Sequence, residues 1–549
     1  MSFQDTFQAL TSYFIELGRN QPLLSVGLAV GILIVFKLSS MGRREKGLPP
    51  GPPTLPIIGN LHQIPLTGLH AKFLKWGEEF GGIFSLKLGS GTMIVLYDRK
   101  AVHDLVDKKG VIYSERPKNH VADIVTHGDS FAFMNNTPMY KEQRKIAAHN
   151  LSPRVLDGNA GRIQDAEISV LLRDLVDDPE DFYHHVMRTT CSVACAMVFG
   201  QRGATWDSFF GRCVYDAMDS YSESLEPGAN PPVDEFPFLK YLPDFMSPWR
   251  QRARHSYEAM DSTWAQARSF LDKRRATGER RVCIADSLLD DPKQGKGMSD
   301  MQINHFLGVL VEGGADTTSS SILTMVLCLS RHPEMSIRMP VWSDFSKLPF
   351  INCIVKEGLR WHPVLPLGVP HRVAKDDYYE GMLIPKDATV VIPSYAIHRS
   401  QRYNYTEPEE FKPTRFLGHP RLASDYAGSP DYNNRDKYPA IAVSKGEIAD
   451  IAPLHHYSYG AGRRICPGMH LAERTQWRAI AKLLWAFDIE LPTDPVTGQK
   501  IVPDPENYKE GIAHGPKPFK VVFKPRSQKH IDIIRGDVLE SLKVLKAYE

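Results

Sequence analysis

One cysteine, Cys466, stands in the stretch YSYGAGRRICPGMHLAERTQW, Tyr457 to Trp477, with Gly460, Gly462, Arg463 and Arg464 ahead of it and Gly468 behind. Glycines permit tight turns and let the backbone approach something flat or bulky. An amphipathic pattern predicts a helix from Met469 to Phe487, so Cys466 falls where free amides and the positive end of the dipole favour a thiolate. The arginines add charge able to pair an anion. A zinc site built from Cys466, His470 and His455 or His456 is one reading of these residues. A nucleophilic cysteine is a second, but it needs a base and has no use for the glycines. A haem iron uses every element: the thiolate as axial ligand, the glycines against the porphyrin face, and Arg464 on a propionate.

A second chemical cluster interrupts NHFLGVLVEGGADTTSSSILTMVLCLSRHPE, Asn304 to Glu334, a segment apolar on most sides and so expected to run through the interior as a helix. Its middle reads Gly313, Gly314, Ala315, Asp316, Thr317, Thr318. Each glycine costs a helix interior about 1 kcal/mol, and a buried aspartate costs more unless hydrogen-bonded. Such local inconsistency is where function is expected. The Thr317 hydroxyl can reach the carbonyl of Gly313 four residues back, opening the ladder and leaving a groove for a small ligand. A kink made only for packing is the alternative.

The elements that must position these groups are mostly helical. Apolar residues recur at three- and four-residue spacing in Asp165 to Val176, Arg250 to Arg275 and Arg474 to Phe487. Alternation around a Gly-Ser-Gly turn predicts a hairpin over Gly81 to Tyr97, and short strands are expected at Ala388 to Ile397 and Phe519 to Pro525. The expected class is mainly α with small β-sheets.

At this point the sequence resembles a known family. YGAGRRICPG, Tyr459 to Gly468, is similar to the haem-binding signature of cytochrome P450 monooxygenases, with Tyr459 where that family usually has Phe. EGLR, with Glu357 and Arg360, resembles its Glu-x-x-Arg pair, which Arg415 of PTRF would lock; GGADTT resembles its oxygen-activating helix; YKEQR, with Arg144 and with Tyr140 in place of the usual Trp, resembles a propionate-binding helix; His371 of VPHRV matches a further propionate contact. The resemblance runs from Leu48 to Pro525. It implies haem b held by the thiolate of Cys466, with Arg144, His371, Gly462, Arg464 and Gly468 around it, and Asp316 with Thr317 as the catalytic acid and alcohol. It also implies NADPH-derived electrons delivered by a flavoprotein reductase and hydroxylation of a small apolar substrate. The substrate walls implied are Ile124, Phe131, Phe306, Val309, Leu310, Leu365, Val369 and Ile512. The segment from His398 to Asp436 resembles filamentous-fungal enzymes that hydroxylate small phenolic polyketides. A haem protein without turnover and a haem-thiolate isomerase or dehydratase are the competing functions, although the latter need not keep Asp316 and Thr317.

Composition sets the frame. The chain has 549 residues, 42% hydrophobic and 24% charged, which is ample for a large core; a net charge of +2 gives no reason to expect nucleic acid. Seven cysteines, odd in number and scattered, fit a reducing compartment. Residues 22–41 hold an uncharged apolar run ending near Lys37, expected as a membrane anchor after a lumenal segment, 1–21. Lys37, Arg43, Arg44 and Lys46 follow, so the positive-inside rule places the catalytic part in the cytosol and leaves the sequons at Asn135, Asn150 and Asn404 unused; the proline-rich stretch behind the anchor resembles endoplasmic-reticulum members of the family, and that resemblance implies the endoplasmic reticulum membrane. A basic, proline-rich hinge is expected over 42–60, the catalytic domain over 61–526, and a tail over 527–549. Two departures from the family pattern stand out. Met335 to Lys347 is shorter than the usual helix and turn there, and Lys437 to His455 is an insertion ahead of the cysteine loop. Coding sequence lost in one place and an intron retained in the other accounts for both; a genuine surface loop is the alternative for the insertion.

Overall fold

A computed structural model of the chain describes residues 41–549 except 292, 333–339, 341, 401–404, 406, 418–420 and 426–455, together with residues 23, 26, 27, 31 and 32. The insertion at 437–455, residues 335–339 and 341 of the shortened segment, and most of the expected anchor lie outside the described residues. Among the described residues no helix is long and apolar enough to cross a membrane.

In chain order the larger elements are α1 (Leu69–Phe80), β1 (Ile83–Leu88), β2 (Gly91–Leu96), α2 (His120–Thr126), α3 (Pro138–Asn150), α4 (Gly161–Asp177), α5 (Phe182–Val198), α6 (Phe209–Ser224), α7 (Pro248–Ala276) and α8 (Ile284–Asp290). There follow α9 (Asp300–Ser330), α10 (Pro349–Trp361), β3 (His371–Arg372), β4 (Asp377–Tyr379), β5 (Met382–Ile384), β6 (Thr389–Val391), α11 (Ser394–Arg399), α12 (Met469–Ala486), β7 (Phe487–Glu490), β8 (Val522–Pro525) and α13 (Gln528–Leu545). The hairpin expected over Gly81 to Tyr97 is β1–β2, and it heads a four-stranded sheet in the order β1-β2-β6-β3; β4–β5 and β7–β8 form two-stranded sheets.

The long helix α9 is the axis of the molecule. It begins four residues before the expected start because Ser299 and Gln302 form a capping box, in which the Gln302 amide donates to Ser299 Oγ at 3.2 Å and the Ser299 amide to Gln302 Oε1 at 3.0 Å. From Thr318 to Ser330 it is buried on every side, packed against α5, α12, α7, α6 and α10. Burial of this kind, rather than the propensity of a segment with two central glycines, holds it helical.

One sequence expectation is corrected, and the expected hinge and tail are given their place in the fold. Ala388 to Ile397 is not one strand: pairing covers only Thr389–Val391, and Pro393, which has no N–H to give to a ladder, precedes helix α11. The hinge is docked rather than free. Gly42 donates to the carbonyl of Gly89 at 3.0 Å, Ser85 donates to that of Pro50 at 2.8 Å, and Arg44 Nη1 reaches the carbonyl of Ser85 at 3.0 Å, so the prolines lie along the hairpin. The expected tail is helix α13, whose Ile534, Val538 and Leu545 are buried against α4, while the Tyr548 carbonyl accepts from Arg202 at 2.8 Å. Spacings of four and seven residues put those three side chains on one face.

Candidate active site

The cysteine loop is shaped by two left-handed glycines. Gly460 has φ 75° and its amide donates to the Tyr457 carbonyl at 2.8 Å; Gly462 has φ 65° and its amide donates to Asp107 Oδ1 at 2.8 Å. A Cβ on Gly462 would lie 2.5 Å from the Val106 carbonyl oxygen, so this glycine docks the loop on the turn Val102–Asp107. It does not face the cavity, contrary to the role expected for it as part of the porphyrin floor; Gly460 and Gly468 do. The Cys466 amide donates to the Tyr459 carbonyl at 2.9 Å, which closes the loop and leaves the sulfur partly exposed to a cavity.

That cavity has about 2000 Å³ of atom-free space, counting its mouth, and lies between the cysteine loop and α9. It gathers Cys466, Gly468, Arg464, Arg144, His371, Asp316, Thr317, Phe131, Val309, Leu310, Leu365, Val369 and Ile512, separated in sequence by hundreds of residues. Ile124 and Phe306, expected on its walls, are not among its lining residues. Ile124 packs into the surrounding core, and Phe306 is buried behind Phe131, with ring centroids 6.3 Å apart.

Burial dominates the free thiol: it pushes Cys466 up, against the amides of Gly468 and Met469 and the charge of Arg144. Cys466 lies three residues before α12, and its desolvation outweighs two amides; a coordinating metal deprotonates such a thiol outright.

Three guanidinium groups line one region of the cavity. Arg464 Nε donates to Ser114 O and its Nη2 to Met134 O, both at 2.8 Å; its plane lies 3.7 Å from the Tyr140 ring centroid, and its Nη1 is buried with no hydrogen-bond partner among the described residues. Arg144 Nη2 donates to the Ile465 carbonyl, tying α3 to the cysteine loop. Arg116 is the third, and the sequence reading missed it, because it comes from a loop with no periodicity or motif around it. Its Nη1 holds the carbonyls of Val369 and Pro370 at 2.8 and 2.7 Å, and burial, together with Arg464 beside it, pushes it down to about 9. His371 Nδ1 lies 2.7 Å from the Tyr113 carbonyl; burial, then Arg116, pushes the imidazole down to about 3, so the neutral ring donates from Nδ1 and presents an acceptor at Nε2. A nearby anion favours the second proton that a carboxylate contact at Nε2 requires.

On α9, Thr317 Oγ1 donates to the Gly313 carbonyl at 2.6 Å, the bond read from the sequence. The ladder does not open, however: α9 is α-helical throughout. The groove comes from the missing side chain, since a Cβ on Gly313 would meet nothing within 4 Å. Asp316 lines this cavity and also a second, polar one, formed with Tyr183, Asp219, Glu223, Lys509, Glu510 and Lys517. Burial pushes the Asp316 carboxyl up to about 6, with Lys509 pulling back and Asp219 adding to the rise. Lys509 and Asp219 pair at 3.1 Å across the second cavity.

Behind the loop, Glu357 and Arg360 on α10 are fully buried and bidentate, Nε to Oε2 at 2.7 Å and Nη2 to Oε1 at 2.9 Å; Arg415 Nε adds a third bond to Oε1 at 3.0 Å. Arg360 also holds the carbonyls of His398 and Pro408, at 3.1 and 2.9 Å. The cluster lies outside the cavity, where it ties the segments after α11 to α10. The zinc reading with His456 finds no support in the geometry: among the described residues the groups close enough to share an ion are Cys191, Cys195 and Cys213, and Asp178, Asp181 and His185, neither of which includes Cys466, His456 or His470; His455 lies outside the described residues.

The family model of cytochrome P450 matches residues 49–523. The chain belongs to the cytochrome P450 family. This P450 is 37% identical over 541 residues to cytochrome P450 monooxygenase acuD of Aspergillus aculeatus, covering 96% of this chain and 98% of that protein. It is 36% identical over 547 residues to cytochrome P450 monooxygenase atE of Aspergillus terreus, covering 96% and 98%, and 36% identical over 533 residues to cytochrome P450 monooxygenase patI of Penicillium expansum, covering 94% and 96%. It is a P450 monooxygenase, and the family implies a haem whose iron is bound by a thiolate. The donor set fits that group: a cavity-facing sulfur, a glycine-lined groove opposite it, and three arginines, one with an unpaired buried N–H, for two carboxylates.

Proposed function

We propose that this P450 hydroxylates a small aromatic or polyketide-derived intermediate, using O2 and electrons passed from NADPH by a flavoprotein reductase. The observation that carries the reading is the meeting, in one cavity, of Cys466 with the acid and alcohol Asp316 and Thr317. Bound haem supplies oxygen activation. Cys466 would bind its iron, and Arg116, Arg144 and Arg464 would take its two carboxylates, with His371 joining them when protonated. Asp316 lines both cavities with a carboxyl that burial raises to about 6, so it takes protons from the polar cavity and releases them on the Thr317 side. Thr317 presents a hydroxyl already oriented by the Gly313 carbonyl. The aliphatic walls, Val309, Leu310, Leu365, Val369 and Ile512, suit an apolar body and exclude water. An anchor over 22–41 would hold the enzyme on the endoplasmic reticulum membrane with this domain in the cytosol.

The test pairs two substitutions. Cys466→Ser is expected to abolish the thiolate signature of the reduced, carbon-monoxide-bound spectrum. Thr317→Ala is expected to keep that signature while NADPH consumption separates from product formation. An unaltered spectrum in the first, or unaltered coupling in the second, refutes the assignment.

A further inference from the structure

One carboxylate in the cavity has no part in the roles above. Glu312, on α9 one turn before Asp316, is buried and lines the same cavity. Its Oε1 accepts from Trp264 Nε1 at 2.9 Å, and Trp264 is itself fully buried on α7, so the carboxyl is held at a fixed angle. Among the described residues Oε2 has no hydrogen-bond partner and no basic side chain pairs with the group. Burial pushes the carboxyl up to about 8, against the pull of the indole N–H, so near neutrality it is an uncharged acid able both to donate and to accept. Tyr221 of α6 lines the cavity too, and its phenol is raised by burial and by Glu312. Around them the wall is aliphatic, with Val309, Leu310 and Met218.

A polar group in an apolar cavity, held from behind and open in front, fixes the orientation of a ligand. We propose that Glu312 is the polar anchor of the substrate subsite: its free Oε2 hydrogen-bonds a hydroxyl or carbonyl oxygen on an uncharged, ring-sized substrate and turns the opposite end of the ring toward Thr317. Glu312 and Thr317 both line this cavity, and five residues of helix separate them by roughly 7.5 Å along the axis, comparable to the length of a substituted benzene ring. A charged substrate would have to give up its hydration against the aliphatic wall of Val309, Leu310 and Met218, so an uncharged one is favoured. The proposal rests on the monooxygenase reading of the cavity.

The test is a spectral binding titration of the ferric holoenzyme with 4-ethylphenol and with ethylbenzene, which differ by one hydroxyl. Wild type is expected to bind the phenol roughly tenfold more tightly or better, since a site built for a hydroxyl leaves a buried polar group unpaired with the hydrocarbon. E312Q keeps an acceptor for Trp264 and a donor toward the cavity, and should retain most of the preference. E312L should lose it; because that change orphans the Trp264 indole, the double variant E312L/W264F is measured as well. Equal affinity of wild type for the two probes, failure of the phenol to bind, or a preference that survives in E312L/W264F overturns the proposal. The reduced, carbon-monoxide-bound spectrum of each protein separates the two levels. Absence of thiolate haem in wild type defeats the cavity assignment, whereas a normal spectrum without phenol preference defeats only the role of Glu312.

Discussion

Helix α9 carries three glycines for which the same added methyl group has opposite consequences. Replacing glycine by alanine in a helix interior gains about 1 kcal/mol from backbone entropy and propensity, provided the methyl has room. At Gly313 it has: a Cβ there meets nothing within 4 Å, so Gly313→Ala is expected to stabilise the protein by about 1 kcal/mol. At Gly314 the methyl would rest 3.4 Å from the Ala194 Cβ, an ordinary contact, and the same gain is expected. At Gly308 it would lie 2.5 Å from Cδ1, Cε2 and Nε1 of Trp264. That indole is fully buried and donates to Glu312, so it cannot retreat without breaking a bond worth about 1 kcal/mol, on top of an overpacking cost of about 1–3 kcal/mol. The net for Gly308→Ala is a loss of about 1–3 kcal/mol, and the spread between Gly313→Ala and Gly308→Ala is about 2–4 kcal/mol. Urea unfolding of the purified holoproteins, followed by circular dichroism, reads this spread as a shift in midpoint at constant slope. The Gly313 variant should also yield less product per NADPH, because its methyl group fills the groove beside Thr317. Gly308→Ala as stable as wild type, or Gly313→Ala as damaging as Gly308→Ala, would refute the packing argument.

Three other outcomes follow from the same geometry. Arg360→Leu takes the bidentate partner from the fully buried Glu357 carboxylate and leaves Arg415 and a backbone amide on Oε1 only, at a cost of about 3–5 kcal/mol, and should be read as loss of folded, haem-loaded protein; Arg360→Lys should not rescue it, since an ammonium cannot reproduce the bidentate pair. Gly462→Ala combines a left-handed φ with a contact 2.5 Å from the Val106 carbonyl, so it should lower the thermal midpoint more than Gly460→Ala, whose Cβ meets no protein atom and which carries a backbone strain of about 1–2 kcal/mol. Glu312→Gln should change how stability varies with pH. The native carboxyl is raised from 4.5 to about 8, so the native state binds the proton more tightly than the unfolded chain; its stabilisation is complete below the lower value and is lost as pH rises through the higher. The glutamine does not titrate, so thermal midpoints of the variant should gain on wild type between about pH 5 and about pH 8, by the equivalent of a few kcal/mol.

Cys466, the glycines around it, the Glu357–Arg360 pair and the Thr317–Gly313 bond were legible in the sequence, because each depends on residues within a few positions of one another. Local spacing fixes which groups share a turn or a helical face. The same logic reaches the hairpin β1–β2 and the apolar run of α9, but not the docking of α13 on α4 or the shortening of the strand at β6, where a distant partner or one missing N–H decides the outcome. Arg116 illustrates the limit. Nothing beside it in the chain distinguishes it from a surface arginine, and only the fold lays it against Val369, Pro370 and Arg464. Glu312 is the converse, a charge read as part of a helix until its burial beside Trp264 makes it an uncharged acid in a cavity wall. Sequence by itself thus determined the cysteine loop and the family whose signature it carries. Tertiary structure decided which buried groups face the cavity and in which protonation state, because desolvation and long-range proximity are properties of the packed interior and have no local signature.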